Sequence, residues 1–102
     1  MDTQQLVAHS RARFEHAAAR RTLREKYQAK LTFAYRDGMW RAGPELLSLL
    51  NYCTMDKEVV IEDLYENPVR VNTKELWNMA AERWQECMNA WLVEHQKLNQ
   101  TR

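Results

Sequence analysis

Only four of the 102 residues are glycine or proline, and they cluster: Gly38, Gly43 and Pro44 lie close together, and Pro68 stands further on. Because these residues are the strongest local breakers of regular structure, the stretches between them are free to run long. Residues 3 to 29 contain neither and are rich in Ala, Arg, Gln, Glu and Leu, all good helix formers. A long first helix follows. Its apolar positions (Leu6, Val7, Phe14, the run Ala17-Ala18-Ala19, Leu23 and Tyr27) make no broad stripe at 3.6-residue spacing. Such a helix is either mostly solvated or waits for a partner.

Around the breakers the pattern changes. "LTFAYRDGMWRA" (31–42) alternates apolar and aromatic residues on both sides of Asp37-Gly38, a dipeptide that accepts the positive φ angles of a tight turn. This predicts a β-hairpin turning at Asp37-Gly38. "GPELLSLLNYC" (43–53) places Pro44 at a first helical position and Leu46, Leu47, Leu49 and Leu50 in a short apolar helix expected in the core. In 54–72 the β-branched run Val59, Val60, Ile61, a turn at Glu66-Asn67-Pro68, and Val69 and Val71 flanking Arg70 predict a second hairpin. Asn72 can cap the next helix while Glu75 reaches back in a capping box. That last helix is expected from about 73 to about 97, giving an α+β fold in the order α, ββα, ββα.

The last helix carries tryptophans at 77, 84 and 91, seven apart, with Ala80, Ala81, Met88 and His95 on the same face. Glu75, Glu82, Gln85, Glu86 and Asn89 make the opposite face polar. Burying three indoles is worth on the order of 12 kcal/mol at most, at about 25 cal/mol/Å². That rivals the roughly 5–15 kcal/mol stability of a whole domain, so the ladder must be covered. The expected cover is the sheet formed by the two hairpins. A sharper alternative lets one end, Trp91 with Leu92 and Leu98, project past the sheet as an oligomer seam.

Charge divides the chain. Residues 1 to 30 hold seven Lys/Arg against three acids (+4), and residues 31 to 102 hold eight against eleven (−3). Arg13, Arg20 and Arg24 share a sector of the first helix and suit electrostatic docking, on phosphates or on an acidic protein surface. Aromatic residues for stacking on bases are scarce there, which weakens the nucleic-acid reading. The chain thus divides into a basic helical arm (1–30) and a small α+β body (31–102), together one domain.

Chemistry is thinly supplied. Cys53 and Cys87 lie far apart in apolar contexts and read as reduced core thiols. His9, His16 and His95 show no metal-ligand spacing, and no Gly-rich phosphate loop is present. Glu62-Asp63 is expected in a strand with its carboxylates on opposite faces, unsuited to act as an acid–base pair. Neither an apolar leader nor a membrane-length apolar run occurs in the sequence. We therefore expect a cytoplasmic protein with no enzyme activity, no cofactor, no metal and no membrane partner.

The stretches "ARFEHAAARRTLREKYQAKLTFAYRDGMWRAGPELLSLL" and "EVVIEDLYENPVRVNTKELWNMAAERWQECMNAW" resemble small proteins encoded by T-even-type myoviruses, including those infecting cyanobacteria. The resemblance lies in a helix entering a Gly-centred hairpin, the Pro-Glu-Leu-Leu helix start, the "NPVRVN" hairpin and the "WQECMNAWLVEHQ" helix. It carries no diagnostic motif and no residue roles. It implies a virion component or assembly factor, self-associating, in the infected host's cytoplasm or the virion. On this footing the expected function is structural: self-association and docking on protein through Arg13, Arg20, Arg24, Trp91, Leu92 and Leu98. The alternatives are a nucleic-acid-binding accessory protein using the basic helix, and a small regulator of a host enzyme.

Overall fold

The structure, a computed structural model, describes residues 2–53 and 55–100. Helix α1 spans Thr3–Lys30, β1 Thr32–Tyr35, β2 Gly38–Arg41, α2 Pro44–Tyr52, β3 Glu58–Glu62, β4 Pro68–Asn72 and α3 Thr73–Gln100. The α+β order expected from sequence is therefore present. Asp2 opens α1 with a capping box: its side chain accepts from the Gln5 N–H and the Gln5 side chain accepts from the Asp2 N–H. Asn72 Oδ1 likewise accepts from the Glu75 N–H at the head of α3. The return half of that second box runs through an intermediary, since the Asn72 N–H donates to the Tyr35 hydroxyl and that hydroxyl donates to Glu75.

The two hairpins do not merge. Strands β1 and β2 form one antiparallel pair and β3 and β4 another, each a sheet of two strands. An isolated two-stranded ribbon is marginal in water, so each must be held from outside. Three devices hold them. Met39 of β2 uses both backbone groups on the turn after β3: its N–H donates to Asp63 Oδ2 and its carbonyl accepts from the Leu64 N–H. Arg36 donates from both guanidinium nitrogens to Glu58 at 2.8 and 3.0 Å, and to the Arg70 carbonyl. Thr73 ties the head of α3 to Lys57.

Asp63 is not in a strand, contrary to the expectation above. It lies just past β3, is buried, and its carboxylate accepts from the N–H groups of Met39, Tyr65 and Asn67. The first hairpin also turns one residue earlier than expected. Tyr35 pairs with Gly38, so Arg36 and Asp37 form the loop, and Arg36 takes the positive φ of 53°. A left-handed first loop residue normally favours glycine, and the Glu58 bridge compensates a non-glycine here.

Gly38 serves a different purpose: closeness. A Cβ there would lie 2.9 Å from the Trp40 ring and 3.1 Å from Val69, and that ring is buried and pinned by its Nε1–H donating to the Tyr35 carbonyl. Gly38→Ala is therefore expected to destabilise the fold by roughly 1–3 kcal/mol through overpacking. Urea titration checks it; an unchanged midpoint would mean the ring moves freely.

The core joins the ends of elements. Tyr27, Leu31, Phe33, Trp40, Leu50, Val71, Leu76 and Ala80 are buried together, with Trp77, Trp84 and Trp91 half-buried against them. The Trp ladder thus flanks the buried line of α3, which runs through Thr73, Leu76, Ala80 and Cys87. Its main cover is helical, because α3 packs chiefly on α1 and α2 and only lightly on β4. Cys53 caps the end of α2 half-buried, whereas Cys87 is buried.

Candidate interaction surface

Helices α1 and α3 run antiparallel, and three contacts fix their register. Arg83 meets the Lys30 carbonyl, Glu94 meets Lys26 and Tyr27, and Leu98 lines a cavity with Leu23. Each step back along α1 therefore advances along α3, and α3 ends near the level of Arg21. The last turns of α1 belong to the core. Residues 3 to 20 run on beyond the end of α3 as roughly 27 Å of helix, at about 1.5 Å per residue. The molecule is consequently 65 Å long by 25 by 20 Å, with a radius of gyration of 19.4 Å. About 13 Å is usual for a compact chain of this size.

A clamp fixes the point where the arm leaves the body. The Tyr27 hydroxyl donates to Glu94 Oε1 at 2.6 Å, and Lys26 Nζ lies 3.0 Å from the same oxygen. The Tyr27 hydroxyl and then the Lys26 ammonium hold the Glu94 carboxyl below its ordinary range. The same bond, with burial, raises the Tyr27 phenol. Lys26 and Lys30 also stand over the Tyr27 ring.

Past the clamp the arm is largely exposed, with Leu23 and His16 to Ala19 partly buried. Leu6 and Val7 are about half exposed and Phe14 is 73% exposed. Arg13, Arg20 and Arg24 are exposed and share a sector at helical spacing. Arg24 sits level with the last turns of α3, whereas Arg13 stands clear of the body. No ion pair engages these three among the described residues.

The far half of α3 is bare on one side as well. Helix α2 packs on α3, and Gly43 at its head lies within van der Waals reach of the Trp84 ring. Further along α3, Met88, Trp91, Leu92 and His95, the first two packed on the core by one side, line a shallow cavity of about 420 Å³. Leu92 is 54% exposed and Trp91 half-buried. Leu98 is half-buried on the side toward Leu23. Of the six residues singled out in the sequence, Arg20, Arg24, Trp91, Leu92 and Leu98 fall around the end of the α1–α3 pair, with Trp91 and Leu92 in one patch, and Arg13 stands beyond it on the arm. Met88 and His95 complete that patch, and Leu6, Val7 and Phe14 add an apolar side to the arm. Thin periodicity was the only signal for the latter.

A second cavity, of about 620 Å³, opens between the end of α1, α2 and the loop after β3. Gln28, Trp84 and Leu46 line it, with Glu45 and Glu62 among its acids. Among the described residues no group of three His, Cys, Asp or Glu is placed to hold a metal ion, and no helix is long and apolar enough to cross a membrane. Compared with protein-family models, curated proteins and solved structures, the chain finds no match.

Proposed function

We propose that this chain is a non-enzymatic structural or assembly protein that works by self-association and docking on protein, through the free length of α1 and the bare end of α3. The observation that carries this reading is a helix that leaves its own fold for roughly 27 Å while exposing Leu6, Val7 and Phe14. Such a helix is too thinly stabilised by itself in water and gains most from packing against something. The groups with reactive potential support the reading too, because Asp63, Glu58, Glu75 and Glu94 are already engaged in holding elements together. The resemblance to proteins of T-even-type myoviruses would place such a component in a virion or in its assembly in the infected cytoplasm.

Deleting residues 2 to 20 tests the reading. The truncated chain keeps Leu23, Tyr27 and the Glu94 clamp, so its melting midpoint is expected within a few degrees of the full chain, as for surface changes generally. Association measured by sedimentation velocity, with itself or with captured protein, is expected to vanish. Association that survives the deletion would overturn the proposal.

A second reading rests on Arg13, Arg20 and Arg24, which offer a free basic stripe to phosphates. It requires binding to nucleic acid that weakens steeply with salt, the logarithmic slope growing with each phosphate neutralised. The arm's apolar side speaks for protein instead, and a mobility-shift titration from low to physiological salt is expected to show no such binding.

A further inference from the structure

We propose that the outer edge of β3 is a docking site for an extended segment of another protein, which adds as a third strand with a basic residue beside Glu62. This surface lies apart from the arm and from the α3 patch and does not depend on them.

Hydrogen bonds show which way the backbone groups of each strand point. In β4 the Arg70 carbonyl accepts from Arg36 and the Asn72 N–H donates to the Tyr35 hydroxyl, so both residues turn their backbone away from β3. Their partners across the ribbon are Val60 and Glu58, and directly opposed residues of an antiparallel pair point their backbone groups either both inward or both outward. The N–H and carbonyl of Val60 therefore point out from the free side of β3. Glu58 and Glu62, two residues away on either side, repeat the pattern. Other edges are closed: Met39 of β2 engages Asp63 and Leu64, while Arg36 and Tyr35 meet β4. Of the two strands left open, β3 is the longer. Among the described residues it pairs with β4 alone, and nothing engages its outward groups. Donors and acceptors recurring at every second residue match the geometry of an extended backbone.

The backbone fixes that the occupant is a strand, and the side chains fix its composition. Glu58, Val60 and Glu62 stand exposed on one face of β3, with Val60 57% exposed, while Val59 and Ile61 pack half-buried on the core by the other. An added strand thus meets an acid-flanked row on one face and the flanks of two apolar residues on the other. Arg36 already bridges Glu58, whereas no ion pair engages Glu62 among the described residues. The open charge is negative. A second copy of β3 fits badly, because antiparallel pairing centred on Val60 sets Glu62 beside the Glu58 of the other copy at both ends, and parallel pairing aligns like acids. A segment with Lys or Arg at the outward positions and β-branched residues between them suits both faces.

The test titrates the full chain with the peptide acetyl-Lys-Val-Thr-Val-Lys-amide, which reads the same in either strand direction, and follows the backbone amides by NMR. The Val60 N–H is expected to shift downfield and to exchange with solvent severalfold more slowly at saturation. Val60→Pro removes this outward donor, and proline is tolerated on an edge strand, so the variant should keep its fold and lose the binding. Glu62→Lys keeps every backbone group; it should weaken the Lys peptide severalfold and favour acetyl-Glu-Val-Thr-Val-Glu-amide in its place. Equal affinity of the native chain for both peptides, undiminished binding by Val60→Pro, or shifts confined to residues outside β3 would overturn the proposal. So would a native chain that binds neither peptide, or one that pairs with its own copy along β3, seen as protection of the Val60 N–H that grows with protein concentration.

Discussion

Replacing Asp63 with alanine is expected to loosen both hairpins at once and lower the thermal midpoint by roughly 10 °C. The carboxylate accepts three backbone N–H groups, at 3.0 Å from Met39 and 2.9 Å from each of Tyr65 and Asn67. Two of these shape the turn after β3 and the third reaches across from β2. Removing the acceptor leaves three donors around a buried side chain without their partner, which costs more than the bonds themselves contribute. The same donors hold the Asp63 carboxyl below its ordinary value, with the Asn67 and Met39 N–H groups the leading causes. The sign of the pH effect follows. A carboxyl whose folded pKa is depressed contributes fully above its ordinary value, near 3.8, and loses that contribution as pH falls through the folded value. The gap in melting midpoint between the native chain and Asp63→Asn should therefore be wide at neutral pH and narrow progressively below about pH 4. A gap independent of pH would mean the charge is not what the N–H groups recognise.

This residue also shows where the sequence stops being legible. Helices α1 and α3 are readable because uninterrupted helix formers and a clear cap leave no competing pattern, the first hairpin from apolar and aromatic alternation around Asp37-Gly38, and the second from a β-branched run before a polar turn. Local pattern does not say which elements touch. Asp63 looks like a strand residue beside Glu62; its real role depends on Met39, which is brought there by tertiary packing. A signal was present, since Asp followed two residues later by a free N–H is the arrangement of an Asx turn. Arg36 is a similar case. Gly38 reads as the turn glycine, but closeness to Trp40 claims it, and the left-handed position falls to a residue that Glu58 holds from another hairpin. The candidate surface was partly legible. Arg13, Arg20 and Arg24 stand out by charge, and Trp91, Leu92 and Leu98 by position at the end of an apolar helix. The bareness of the patch depends on α2 ending short, which no residue of α3 encodes.

The largest loss of stability is expected from Leu76→Ala, about 3–4 kcal/mol, against which Trp91→Ala should cost distinctly less. Counting indoles suggests the reverse, since tryptophan is the larger side chain and the seven-residue ladder dominates the look of α3. The packing explains the inversion. The buried line of α3 runs through Leu76, Ala80 and Cys87, where small residues let α1 and α2 come close, and the tryptophans sit beside it. Leu76 is fully enclosed, so truncation there leaves a cavity that the surrounding elements cannot fill. Trp91 keeps one side in the bare patch with Leu92, so part of what its removal exposes was already open to solvent. A loss of this size at Leu76 is a large share of the roughly 5–15 kcal/mol that holds a domain together, enough to lower the midpoint by some 15–25 °C. The two substitutions should separate again in sedimentation under conditions where both remain folded. Leu76→Ala leaves the end of the α1–α3 pair intact and should associate as the native chain does, whereas Trp91→Ala should associate weakly while melting nearly normally. If Trp91→Ala instead cost the most stability and left association unchanged, the far end of α3 would be core, and the surface that receives a partner would lie elsewhere.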